Sequence, residues 1–201
     1  MGVVRAGLGA ALLAAILITA CAPATRLTAV WSKAGTAPGF DRVVVVALSA
    51  SDTRRRALET AFTTRIEGAT PSQPLIPTDQ ASDRDRARAV VSPEQFDAAV
   101  VARFVAMDPR ATYVPGTTYW GPAPYASLWG YWTHGWTAVH ETGYLNGSEL
   151  VALETNVYSV ASGELVWSSR SETISPLSID AMLESVVEST VRQLERRRVV
   201  P

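Results

Sequence analysis

The chain has 201 residues, 18 of them basic and 19 acidic, a formal net charge of −1, and 47% hydrophobic residues. A near-neutral chain argues against a nucleic-acid partner, which would want a basic face, a single cysteine excludes disulfides and thiolate zinc sites by count, and the length suits one domain with a real core. No repeat of fixed period is present. In chain order, Arg5 and the amino terminus form a short positive region, and Ala6–Ile18 is uncharged and apolar or small throughout. That run is shorter than the roughly 20 residues a spanning helix needs; it fits the apolar region of a secretory signal followed by small residues. Residues 22–39, with Pro23, Pro38 and Gly39, read as a tether that has room for a short strand near Leu27–Trp31.

Val43-Val44-Val45-Val46-Ala47-Leu48 shows no alternation, so both faces of this strand are expected to be covered, as in an α/β sheet. Ser51 or Asp52 can cap the helix that follows, and Leu58, Ala61, Phe62 and Ile66 make its apolar stripe. Gly68 suits the left-handed residue that ends it. Pro71, Pro74 and Pro77 mark a loop with a short strand at Leu75-Ile76, and the solvated charged run Ser82–Arg88 suits a short helix from Asp79 to Val91. Ser92-Pro93-Glu94-Gln95 has the composition of a helix start. Ala98–Ala106 fits either a continuation of that helix or a strand, and the strand is preferred, because its valines and Phe104 favour a pleated surface and Asp108-Pro109 closes it.

Past the segment 108–147, Glu149–Tyr158 alternates and is joined through Ala161-Ser162-Gly163 to Glu164–Thr173, which makes a hairpin. Ile179, Met182, Leu183, Val186, Val187, Val191 and Leu194 then form a helical stripe, capped by Ser178. Asp180 and Glu184 sit early and Arg192, Arg196, Arg197 and Arg198 late, which complements the helix dipole. The fold class expected is α/β (α+β): a single mixed β-sheet with helices packed on it, a C-terminal hairpin followed by a C-terminal helix, and a long aromatic loop inserted before the hairpin.

That loop is the unusual stretch. Between Tyr113 and Tyr144 lie Trp120, Tyr125, Trp129, Tyr131, Trp132 and Trp136, in all four of the six tryptophans and five of the six tyrosines, and no charged residue occurs from Thr112 to Val139. Long loops in compact domains are functional or disordered, and disorder is poor in aromatics. Two readings fit. In one the rings form a sticky surface for a protein partner, a second copy or a sugar, or settle at a headgroup layer. In the other the segment folds over the sheet and buries its own rings, since so large an exposed aromatic patch would be unusual.

Catalytic and metal signals are weak. His134, His140 and Glu141 lack the spacing of a zinc helix and any third ligand. Ser49 and Ser51 stand where a strand gives way to a helix, with Arg54, Arg55 and Arg56 nearby to draw an anion; a helix cap followed by a solvated face accounts for the same residues. No nucleophile elbow or phosphate-binding loop is present, and Glu149, Glu154 and Glu164 suit a polar strand face. No cofactor is expected.

Leu17-Ile18-Thr19-Ala20-Cys21 resembles the lipobox of bacterial lipoproteins. The resemblance implies cleavage before Cys21, lipid on that residue, and stable anchoring by several acyl chains; an ordinary signal peptide cut near Ala20 or Ala22 is the alternative. Ala22, standing where an inner-membrane lipoprotein has Asp, implies the outer membrane. With the Asp41-Arg42-Val43 strand, the Arg56…Glu59…Phe62 helix and the hairpin Leu153-Glu154-Thr155-Asn156-Val157-Tyr158…Ser162-Gly163-Glu164-Leu165-Val166-Trp167-Ser168, the chain resembles small bacterial envelope lipoproteins of unknown function. It is more distantly similar to penicillin-binding-protein activator lipoproteins, curli-secretion lipoproteins and the TolB amino-terminal domain. The resemblance implies a signal peptide at 1–20, a lipidated amino terminus and tether at 21–39, and a single periplasmic domain at 40–198 with its aromatic insertion at 108–147. The implied role is non-catalytic binding or assembly in the envelope, through the membrane anchor and a protein partner or a homo-oligomer. A glycan-binding module is the alternative, and a hydrolase the more remote one.

Overall fold

The computed structural model describes residues 25–33, 39–105, 125–141, 150–174 and 178–201, with backbone alone at 138–141, 150–151, 174 and 179. Six strands, β1 (Thr25–Ser32), β2 (Val43–Leu48), β3 (Thr70–Pro71), β4 (Ala98–Val105), β5 (Leu150–Ser159) and β6 (Leu165–Ile174), make one sheet in the order β1-β6-β5-β4-β2-β3. β3, β2 and β4 run parallel, and β4, β5, β6 and β1 pair antiparallel. Among the described residues the α-helices are α1 (Asp52–Thr63), α2 (Arg84–Val90), α3 (Leu128–Glu141) and α4 (Ile179–Arg196). The fold is therefore the expected single mixed sheet with helices packed on it, ending in a hairpin and a helix.

The unbroken valine run has the predicted consequence: every residue of β2 is buried, and alternate residues serve two separate cores. Val43, Val45 and Ala47 join Val100, Leu153 and Val157 beneath α1 and α4, which supply Leu58, Phe62, Met182, Val186, Val187 and Leu194. Val44, Val46 and Leu48 join Ala99, Val101 and Tyr158 beneath α2 and α3, which supply Ala87, Leu128, Tyr131, Trp132 and Trp136. The N-caps are those expected, whereas α1 ends with Thr64 as its C-cap in the right-handed region and not at Gly68. Ser51 accepts from the Arg54 N–H at 3.4 Å and Ser178 from the Ala181 N–H at 3.1 Å, which satisfies donors that a first helical turn leaves unpaired. Gly163 (φ 69°) closes the hairpin, and Gly68 (φ 72°) sits in the turn after α1, where an added Cβ would come within 2.9 Å of the Asp41 carbonyl oxygen.

Four further local expectations change. Thr25–Ser32, read as tether apart from a short strand near Leu27–Trp31, is the edge strand β1 along its whole length, paired with β6 from Thr25↔Thr173 to Ser32↔Trp167. Val199 and Val200 are buried, so the folded body also runs past 198. Ser92–Gln95 makes one turn and no helix, because Arg42 holds the following Asp97 through its backbone N–H, Nε and Nη2, and Ala98 enters β4 at once. The strand expected at Leu75-Ile76 lies instead at Thr70–Pro71, and Ile76 turns inward as a fully buried residue.

The largest change is in the insertion: residues 128–141, expected as loop, form helix α3. Among the described residues no helix is long and apolar enough to cross a membrane.

Candidate functional site

The aromatic segment and the carboxyl ends of the parallel strands meet beneath α3. Leu128, Tyr131, Trp132, Gly135 and Trp136 fall at three- and four-residue intervals, which puts them on one helical face, and that face packs on β2 and β4. Tyr131 and Trp132 are fully buried and Trp136 is 4% exposed. The Trp132 indole N–H donates to the Ala81 carbonyl at 3.0 Å. Trp129, partly buried, lies tilted against Trp132 with Arg88 of α2 over its ring. Tyr125 is partly buried against Tyr131 and His134. Trp120 lies outside the described residues.

Helix and sheet approach so closely that Gly135 has no room for a side chain. A Cβ built there would stand 2.3 Å from Leu48 Cδ1, and Leu48 is itself buried. Overpacking of this kind costs about 1–3 kcal/mol, against which alanine gains about 1 kcal/mol of helix propensity over glycine. Shortening Leu48 removes the obstructing atom, so Gly135→Ala is expected to cost less in a Leu48→Ala background than alone. Chemical denaturation of the four proteins of the cycle checks this; additivity within about 0.3 kcal/mol would mean that the two residues do not meet.

Inside the interface lies a buried ion pair that the sequence reading missed. Arg103, on β4 in register with Glu154 on β5, donates from Nε at 3.1 Å and from Nη2 at 2.9 Å to the Glu154 carboxylate. Its Nε also donates to the Tyr131 hydroxyl at 3.1 Å and its Nη2 to the Tyr125 hydroxyl at 3.4 Å. Asn156 donates to the second carboxylate oxygen of Glu154 and accepts from the Ser168 hydroxyl. The Tyr158 hydroxyl donates to the Tyr125 carbonyl at 3.1 Å.

Burial works against the charge on Arg103, but Tyr131 and Glu154 outweigh it and hold the guanidinium more firmly protonated than usual. Burial, reinforced by Glu154, pushes the Tyr131 and Tyr158 phenols well above their ordinary range. They remain neutral hydrogen-bonding groups. Glu154, read as a member of a polar strand face, is instead the counter-ion of a closed network.

A second buried network occupies the opposite face. Arg54–Arg56, read as an anion site or a solvated face, divides three ways. Arg54 is exposed, Arg56 pairs with Asp52 at 2.6 Å, and Arg55 is fully buried. Arg55 donates to Glu59 (3.0 Å), the Ile76 carbonyl (2.7 Å) and the Ser72 hydroxyl (2.7 Å). Glu59 in turn accepts from the Ser72 hydroxyl and from the backbone N–H groups of Ala47 and Gln73. β3 covers β2 only at Val44 and Val45, so Glu59 satisfies the strand edge where β3 stops. Ser49 accepts from the Ser51 N–H, and Ser51 acts as the cap.

Both networks spend their charges on themselves. Among the described residues no three metal-ligating side chains converge. His134 is exposed on α3, and the side chains of His140 and Glu141 lie outside the described residues. Among the described residues, a groove of about 820 Å³ lies between α1 and the start of α4. Ala57, Ala61 and Leu183 line its floor, and Arg65 reaches across to Glu184 at 3.5 Å.

No protein-family model and no curated protein matches the sequence. Two solved structures of PelC dodecamers from Paraburkholderia phytofirmans resemble the fold weakly. One, of a variant, has a TM-score of 0.41 at 11% identity over 84% of this chain and 95% of that one. The other has a TM-score of 0.40 at 12% identity over 89% and 99%. Similarity at this level carries no argument about function.

Proposed function

We propose that the protein is a lipid-anchored envelope lipoprotein, held to the outer membrane by acyl chains on Cys21, with a non-catalytic binding role toward a protein partner or a second copy of itself. The observation that carries this reading is the run Leu17-Ile18-Thr19-Ala20-Cys21, with the protein's sole cysteine at its end, placed just ahead of a strand that begins at Thr25. Cys21 itself lies outside the described residues. The enclosed ion pairs support the non-catalytic part: Arg103, Glu154, Arg55 and Glu59 are partnered within the fold and buried, whereas a catalytic acid or base must reach a substrate.

The burial of the Tyr131, Trp132 and Trp136 rings favours a partner that binds elsewhere on the body. The sugar-stacking alternative needs open ring faces and draws no support from these three residues. Cys21→Ser is expected to abolish labelling by radioactive palmitate and to move the protein from the membrane fraction to the soluble one. Unchanged fractionation with no label in the wild type would remove the basis of the proposal. For the binding role, photo-crosslinking in intact envelopes is expected to trap one discrete adduct; its absence at every exposed position tried would count against a partner.

A further inference from the structure

The short length of chain between Cys21 and the sheet limits which end of the body a lipid on Cys21 could hold to a bilayer. Only Ala22, Pro23 and Ala24 separate Cys21 from Thr25, and four residue steps span at most about 14 Å. Thr25 opens β1 and pairs with Thr173 near the end of β6; Thr173 is level with Val151 at the start of β5, and Ala152 is level with Val105, the last residue of β4. Leu48, the last residue of β2, is level with Arg103. One end of the sheet thus collects the amino end of β1, the carboxyl ends of β2, β4 and β6, and the starts of α1 and α4. The hairpin turn at Ser162, the entry to β2 at Asp41-Arg42 and the end of α4 lie at the other end, where the Phe40 N–H donates to the Val199 carbonyl.

We propose that the end bearing Ser49–Asp52 and Ser178 rests against the phospholipid headgroup layer, with the Ser162 turn pointing away from it. This rests on lipidation of Cys21. The headgroup region is itself about 5–8 Å deep on each side of the hydrocarbon, so a tether of this reach leaves no space for the body to turn over. A ten-residue strand such as β5 is about 33 Å long, which places the far end well clear of the lipid.

The sole native cysteine is taken by lipid in this reading, so an introduced one is labelled alone. Ala50 and Ser162 are both exposed, and neither substitution disturbs the core. The full lipidated protein, carrying a small fluorophore on Ala50→Cys or Ser162→Cys, is reconstituted into phosphatidylethanolamine–phosphatidylglycerol vesicles that contain a headgroup-nitroxide lipid. Quenching is expected to be several-fold stronger at 50 than at 162. Inserting a twelve-residue Gly/Ser segment after Ala22, which adds a flexible span of about 20 Å, is expected to erase most of that difference.

Equal or reversed quenching in protein that still floats with the vesicles would overturn the orientation and leave the anchor standing. Failure to float, with Cys21 unmodified by mass, would overturn both.

Discussion

Glu59→Leu is expected to lower the unfolding free energy by about 3–5 kcal/mol, the cost of leaving one member of a buried ion pair without its counter-charge. The substitution strips Arg55 of its carboxylate in a site with no solvent access and frees the N–H groups of Ala47 and Gln73 as well. Against a total stability of about 5–15 kcal/mol for a domain, that is enough to unfold a large share of the population on mild heating. The double variant Arg55→Met/Glu59→Leu is expected to cost much less than the two single changes added together, because it removes both charges. Guanidinium titration of the unlipidated Cys21→Ser protein and its derivatives measures all three. A loss below about 1 kcal/mol for Glu59→Leu, the range of surface pairs, would show that water reaches the site.

Trp132→Ala is expected to cost a similar amount, about 3–5 kcal/mol for emptying a packed aromatic site. Trp132→Phe is expected to cost less, about 1–3 kcal/mol, mainly from leaving the Ala81 carbonyl without its donor. This pair decides between the two readings of the aromatic segment. A ring exposed for binding would change stability by no more than about 0.5 kcal/mol and would act on partner crosslinking instead. The buried ring predicts the reverse order of effects.

The sequence made some of this legible and hid the rest for identifiable reasons. β2 and α4 were readable because an unbroken valine run and a capped stripe each have few alternative solutions. The hairpin was readable because Gly163 stands where a left-handed residue is required. α3 was hidden because Gly130 and Gly135 inside it, and the prolines before it, argue for loop; yet the 128, 131, 132, 135, 136 spacing is a helical face, and that signal was available. Arg55 and Glu59 were hidden by their charge. They fall in phase with Leu58 and Phe62, so the stripe itself pointed to their burial.

Arg103 and Glu154 left no such local trace. Arg103 continues the inward alternation of Ala99 and Val101, but its partner is set by β4–β5 register, which is fixed only on folding. β1 was legible only as a short strand near Leu27–Trp31 within a tether, because an edge strand needs only one neighbour and carries polar residues without penalty.

Lipid attachment at Cys21 can be read from the mass of the amino-terminal peptide of protein purified from envelopes. That peptide is expected to begin at Cys21, to lack residues 1–20, and to carry a diacylglycerol and an additional acyl chain. A peptide with an unmodified Cys21, whether cleaved nearby or continuous with Ala20, would contradict it.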